Sequence, residues 1–320
     1  MGNEGIVERK CCPVCRQTRT AELYRCPFSA PPINGYLTEF YREQGGVEFD
    51  CLEKDEYVLV ECLGCGLIYQ RHILGDALMR KLYEEWIDPR KALEINLGAQ
   101  CVQTFAKLSR EIELTLGLFP APPHKLQLLD FGMGWGEWCS MAKSYGCNAH
   151  GLELSKTRVE RAMQSGIKVL SWAEVSSYRY DFINIEQVVE HLPNPVETLQ
   201  YLTGALKPDG ILKISVPNGW DIKSKLRCAD WSAPRDSPHS LNSVAPLEHI
   251  NCFTHDTMLE LAAKVGLRRF RVTTRMALKG LALDVNLRES LRPAYDAFRI
   301  ARSFGRWRST RLYFQRQKAA

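Results

Sequence analysis

The 320 residues predict an α/β protein, a mostly parallel sheet wrapped by helices and preceded by a small metal-knuckle module. Three observations lead there. Short apolar strands alternate with helix-period segments from Lys125 to about Ala277. One of these strands, Leu128-Leu129-Asp130-Phe131, runs into glycines at alternate positions, Gly132, Gly134 and Gly136. Two Cys-x-x-Cys pairs stand in the first 75 residues.

The elements follow in chain order. Residues 1–75 are expected to form a zinc-ribbon-like module. Cys12-Pro13-Val14-Cys15 and Cys62-Leu63-Gly64-Cys65 each set two thiolates in one tight turn, and two such knuckles complete a tetrahedral shell suited to structural Zn²⁺. A closed shell leaves no position for water or substrate, which marks the metal as structural. Cys11 adjoins Cys12 and is a competing ligand. Residues 76–124 carry apolar positions at helical spacing, among them Leu78, Leu82, Trp86, Leu108 and Ile112, and predict two helices broken near Asp88-Pro89. Pro120, Pro122 and Pro123 stiffen the linker into the main domain.

The main domain spans residues 125–278. Its helices are expected over 137–145, 156–164, 196–205 and 256–265, with a last strand over 268–274. Residues 219–252 form a long insertion carrying Trp220, Lys223, Trp231, Arg235, His239, Glu248 and His249, a mixture expected of a substrate lid. Residues 279–320 are expected to be a basic helical tail. From Val285 onward there are nine Lys/Arg against two Asp/Glu, so the net charge of +5 sits in the tail and the body is about −2. A near-neutral body speaks against a nucleic-acid grip on the main domain. The tail suits an acidic partner or anionic surface. Scattered cysteines, no membrane-length apolar run and no signal-like start predict a cytoplasmic chain.

The strand-to-glycine turn chooses among nucleoside cofactors. A nicotinamide site wants G-x-G-x-x-G; here the third glycine comes one residue early and Glu137 holds the expected place. Asp130 at the strand end suits a cationic ligand better than a diphosphate. A second short strand ends in Glu153, at the spacing where a ribose diol is gripped.

The pattern D-x-G-x-G-x-G over 130–136 resembles the first motif of class I S-adenosylmethionine-dependent methyltransferases. Three further segments carry the same likeness: Ser171-Trp172-Ala173-Glu174; residues 180–195, with Glu190-His191-Leu192-Pro193; and residues 206–218. The resemblance implies a Rossmann-like seven-stranded sheet and S-adenosylmethionine as methyl donor. It implies donor contacts from Asp130, Gly132, Gly134, Gly136, Glu153, Leu154, Ala173, Glu174, Glu186 and Gln187. Residues 246–254, with Glu248-His249 and Phe253-Thr254, resemble a segment of small-molecule methyltransferases, in a group that includes nucleotide-sugar C-methyltransferases. Carried over, His249, Glu248 and His191 are the candidate catalytic residues, with imidazole as general base. The implied acceptor is a small molecule, methylated at oxygen or carbon. RNA held by the zinc module and basic tail is the alternative acceptor.

Overall fold

The computed structural model describes residues 5–99, 101–235, 237–281 and 309–317. Its strands are β1 (Ile6–Glu8), β2 (Thr20–Pro27), β3 (Glu56–Cys62), β4 (Ile68–Gln70), β5 (His72–Leu74), β6 (Gln127–Phe131), β7 (Asn148–Leu152), β8 (Lys168–Val169), β9 (Tyr180–Glu186), β10 (Leu206–Pro217), β11 (Asn251–Cys252), β12 (Leu267–Phe270) and β13 (Ser309–Arg316). The chain divides into two compact units. One comprises Met1–Gly98, Gln187–Leu199 and Val216–Val265; the other comprises Ala99–Glu186, Gln200–Ser215 and Gly266–Ala320.

The second unit holds the expected seven-stranded sheet, in the order β12-β13-β10-β9-β6-β7-β8. β6 pairs in parallel with β7 and with β9, β7 with β8, and β9 with β10. The strand order therefore reverses at β6, and the glycine turn leaves the carboxyl end of that strand, where ligands of open α/β sheets bind. Consecutive residues Leu128, Leu129, Asp130 and Phe131 are all buried, as expected for a parallel strand covered on both faces. Helices Glu137–Ser144 and Lys156–Gln164 lie where the periodicity predicts them. Trp138 of the first stacks on Phe182 of β9 with centroids 6.1 Å apart. That pair belongs to a core with Leu128, Ala142, Ala162, Ile167 and Ile211.

The tail reading needs correction. Residues 309–316 form strand β13, not helix, and pair antiparallel with β12. Leu312, Tyr313 and Phe314 are buried in succession, which only a doubly covered strand allows. Helix Thr274–Leu281 precedes the gap, and residues 282–308 of the expected tail lie outside the described residues.

The first unit is built on the antiparallel sheet β11-β4-β3-β2 and the small β1-β5 pair. Helix Pro31–Tyr41 buries Ile33, Leu37 and Tyr41, four residues apart on one face. The connector breaks at Asp88-Pro89 as expected, and again before Val102, giving helices Pro89–Ala99 and Val102–Gly117. The insertion expected to be a lid contributes Ile222, Trp231, Leu241, Val244 and Leu247 to this unit's core. Trp231 packs against Tyr24 and Tyr57 at 5.4 Å and donates its indole N–H to the Tyr24 hydroxyl at 3.0 Å. So much buried apolar surface makes the segment a structural part of the unit.

Candidate functional site

In the sheet unit the three glycines of the turn have φ of +72°, +56° and +84°, a left-handed conformation that side chains disfavour. A Cβ on Gly136 would lie 2.4 Å from the Ile167 side chain, whereas one on Gly134 would meet nothing within 4 Å. Gly136 thus serves helix packing, while Gly134 leaves bare backbone beside open space. Glu153 reaches back to this turn. Its Oε2 accepts the Gly134 N–H at 3.0 Å, and its Oε1 accepts the N–H groups of Leu154 and Ser155 at 2.8 and 3.0 Å. Oε2, accepting a single bond, keeps a lone pair for a hydroxyl donor. Leu154, 90% exposed, presents an apolar side chain next to that carboxylate.

Asp130 is buried and accepts a hydrogen bond from Asn184 Nδ2 at 2.7 Å. Burial pushes its carboxyl up to about 7, despite that bond and the Lys213 charge. Glu186 is engaged elsewhere: Lys213 Nζ lies 2.8 Å and Arg311 3.6 Å from its carboxylate. Burial works against its charge, but the two cations hold it at about 2. The same cations reach Glu111 at 3.4 and 2.7 Å. Gln187, the next residue, is exposed with φ +54°. Glu174 closes a capping box, accepting the N–H and hydroxyl of Ser171 at 2.7 Å each, so its carboxylate is occupied in holding a helix start. Ala173 is exposed in the same turn. The turn, Glu153 and Leu154 are therefore brought together, while Glu174 and Glu186 serve the framework. Sequence reasoning missed Trp172, which stacks on Tyr201 at 4.3 Å and meets Phe131 edge-on. It also missed Asn184 and Lys213, polar residues inside apolar strands, a pattern that signals a buried partner.

In the other unit the four knuckle thiols converge. Cys12 and Cys65 sulfurs lie 3.6 Å apart, Cys15 and Cys62 3.3 Å, and all four within 4.8 Å of one another. A tetrahedron with Zn–S near 2.3 Å has edges of about 3.8 Å, so the cage has zinc's size. The knuckles match: Arg16 N donates to Cys12 O at 3.0 Å and Gly66 N to Cys62 O at 2.9 Å. Both closing residues are left-handed, at φ +64° for Arg16 and +76° for Gly66. Cys11 stands outside the set.

The candidate catalytic residues also meet in this unit. The His191 and His249 rings lie 4.9 Å apart. His191 Nδ1 donates to Glu248 O at 2.9 Å and has the Tyr83 hydroxyl at 3.2 Å. His249 Nδ1 donates to Asn242 O. Burial is the main cause that lowers both imidazoles, His191 to about 4 and His249 to about 3. The Glu248 carboxylate accepts the Tyr41 hydroxyl at 2.6 Å. Leu247, just before it, has φ +70°, a strained backbone of the kind found at functional turns. Two buried amides fix the loops: Asn251 Nδ2 donates to Val189 O and Leu192 O at 3.3 and 2.8 Å, and Gln70 Nε2 donates to His249 O at 3.0 Å. Thr254, not His249, caps the following helix.

Residues 103–270 match the methyltransferase domain family. The chain belongs to that family. Its seven-stranded sheet is like that of class I methyltransferases. The ubiquinone biosynthesis O-methyltransferases of Vibrio cholerae strains are 28% identical over 131 residues, 38% of this chain and 51% of theirs. The chain thus spans about half the length of the curated relatives it matches. Two solved plantazolicin methyltransferases share the fold. BamL, with a triazolic desmethylPZN analog and SAH, is 15% identical, with TM-score 0.50 over 75% of this chain and 95% of its own. BpumL, with a pentazolic analog and SAH, is 16% identical, with TM-score 0.50 over 76% and 95%. Among the described residues no helix is long and apolar enough to cross a membrane.

Proposed function

We propose that this methyltransferase moves a methyl group from S-adenosylmethionine to a small-molecule acceptor, a sugar, nucleotide-sugar or secondary metabolite, at oxygen or carbon. The observation that carries the reading is the cluster of two neutral imidazoles beside Glu190 and Glu248. Each has its Nδ1–H on a carbonyl, which leaves Nε2 with a lone pair toward which an acceptor can shed a proton.

The donor supplies an electrophilic methyl group when bound. Gly132, Gly134 and Gly136 give it bare backbone, Glu153 holds ribose hydroxyls, Leu154 covers an apolar face, and Asp130 provides negative charge for a cationic ligand. The backbone of Ala173 and Glu174, with Gln187, completes the contacts, and Glu186 acts through Lys213. His249 and His191 take up the acceptor's proton and Glu248 orients them. Cys12, Cys15, Cys62 and Cys65 hold a structural zinc, which adds folding energy to the first unit. The twelve free thiols fit a reducing, cytoplasmic setting.

A transfer screen with methyl-labelled S-adenosylmethionine against metabolite and RNA fractions tests the acceptor class. Label is expected in small molecules; label confined to RNA overturns this reading in favour of a nucleic-acid acceptor.

A further inference from the structure

We propose that Glu190, His191 and His249 form a binding site for one divalent transition-metal cation, separate from the Cys₄ shell. The inference deepens the function proposed above and rests on it for the cation's role. With the cation bound, the imidazoles are its ligands and the cation weakens the acceptor's proton; without it, they act as the base proposed above.

One ring nitrogen of each histidine and one carboxylate oxygen of Glu190 lie within 4.8 Å of one another. Among the described residues, the only other group of this kind is the cysteine shell. The two histidines share a tautomer. Glu248 O and Asn242 O can only accept, so both Nδ1 atoms carry the hydrogen and both Nε2 atoms carry the lone pair. Metal-binding histidines are commonly fixed in this way, with the outer N–H on a carbonyl. His191 Nε2 stands 3.9 Å from Glu190 Oε1, beyond hydrogen-bond reach. A ring nitrogen of each histidine and a buried carboxylate oxygen thus cluster within 4.8 Å, and a doubly charged cation complements the carboxylate.

The electrostatics agree. Burial keeps both rings neutral well below pH 6, which ligation requires. Zn–N and Zn–O bonds of about 2.0–2.2 Å place ligands roughly 3–3.5 Å apart, so the His191–Glu190 pair, now 3.9 Å apart, closes by about half an ångström or somewhat more on loading. The backbone is held for that: Asn251 clamps residues 189 and 192 on either side of Glu190-His191, and Gln70 clamps His249. Two imidazoles and one carboxylate suit Zn²⁺, Mn²⁺ or Fe²⁺, and three protein ligands leave coordination positions for acceptor oxygen.

The test uses the full chain with its Cys₄ shell zinc-filled and follows Mn²⁺ binding by electron paramagnetic resonance. Wild-type protein is expected to bind one Mn²⁺ per chain saturably. Glu190→Gln and His249→Gln are expected to weaken that binding at least about tenfold while zinc content and circular dichroism stay unchanged. His191→Gln replaces either variant that does not fold. Absence of saturable Mn²⁺ binding in the wild type, or equal binding in the folded variants, overturns the site. Saturable, ligand-dependent binding in a protein that methylates no small molecule leaves the cation site standing and overturns the acceptor reading instead.

Discussion

Replacing Asp130 by Asn separates the charge at the donor site from its shape. The carboxyl is 3% exposed and accepts 2.7 Å from Asn184 Nδ2. Burial raises it from 3.8 to about 7. A folded value above the unfolded one gives stability that is fully present below pH 3.8 and is lost as pH rises through about 7, because the fold must then hold a buried anion. The gap of about three units corresponds to ~4 kcal/mol. Asn cannot ionise and still offers an oxygen to Asn184. Urea unfolding is therefore expected to show Asp130→Asn more stable than wild type at pH 8, by up to ~4 kcal/mol, and equal to it near pH 4. Histidines titrate in both proteins and cancel in the difference. Calorimetry is expected to show the opposite trend for the donor, with S-adenosylmethionine affinity down about tenfold on loss of a charged partner worth ~1.5 kcal/mol. Parallel pH profiles for the two proteins would refute the buried-ionisation argument, and unchanged affinity would remove Asp130 from the donor site.

Glu153→Gln keeps the side chain's size but can turn an amide N–H₂ toward the Gly134 N–H, and is expected to weaken S-adenosylmethionine roughly 10–100-fold by calorimetry; undiminished binding sinks the ribose assignment. Elemental analysis is expected to give one zinc per chain in the cysteine shell. Strong chelators or Cys12→Ser are then expected to open the first unit to proteolysis, and a protease-resistant, metal-free chain rules the shell out. The two buried imidazoles have folded values below their ordinary 6.5, so they leave stability intact above that pH and erode it as pH falls toward 4 and then 3. His249→Asn is expected to flatten this loss between pH 7 and 5 in urea melts, and a slope equal to wild type shows that His249 does not stay neutral in the fold.

Much of the fold was legible because its signals are local. The parallel strands read as unbroken apolar runs, and the three glycines read as left-handed positions that backbone geometry demands. The cysteine knuckles read from their own spacing, although Arg16 shows that the second closing position does not require glycine. What failed depended on partners far away in sequence. Residues 309–316 looked like part of a charged helix, yet Arg311 lies within ion-pair range of Glu111 and Glu186, and its neighbours fill a sheet. Glu186 looked like a donor ligand for want of any sign that Lys213 stood beside it. The insertion's apolar residues Ile222, Trp231, Leu241, Val244 and Leu247 fill a core, which composition alone does not show.

The first unit shows why its metal shell and its histidines cannot be treated as separate modules. Arg9 is three residues before Cys12 and is half-buried; its guanidinium donates to Gln70 O at 2.9 Å, to Asn251 Oδ1 at 2.8 Å and to Ile250 O. Gln70 and Asn251 are the two residues whose amides hold His249 and the turn bearing Glu190-His191. Burial lowers the Arg9 guanidinium to about 9, so it stays charged at neutral pH, and a half-buried cation of this kind persists only where its acceptors are fixed. Arg9 holds the Asn251 side-chain amide and the Gln70 backbone, and the two amides hold the segments that carry the histidines. The cysteine cluster and the histidine pair are thus joined through one chain of hydrogen bonds.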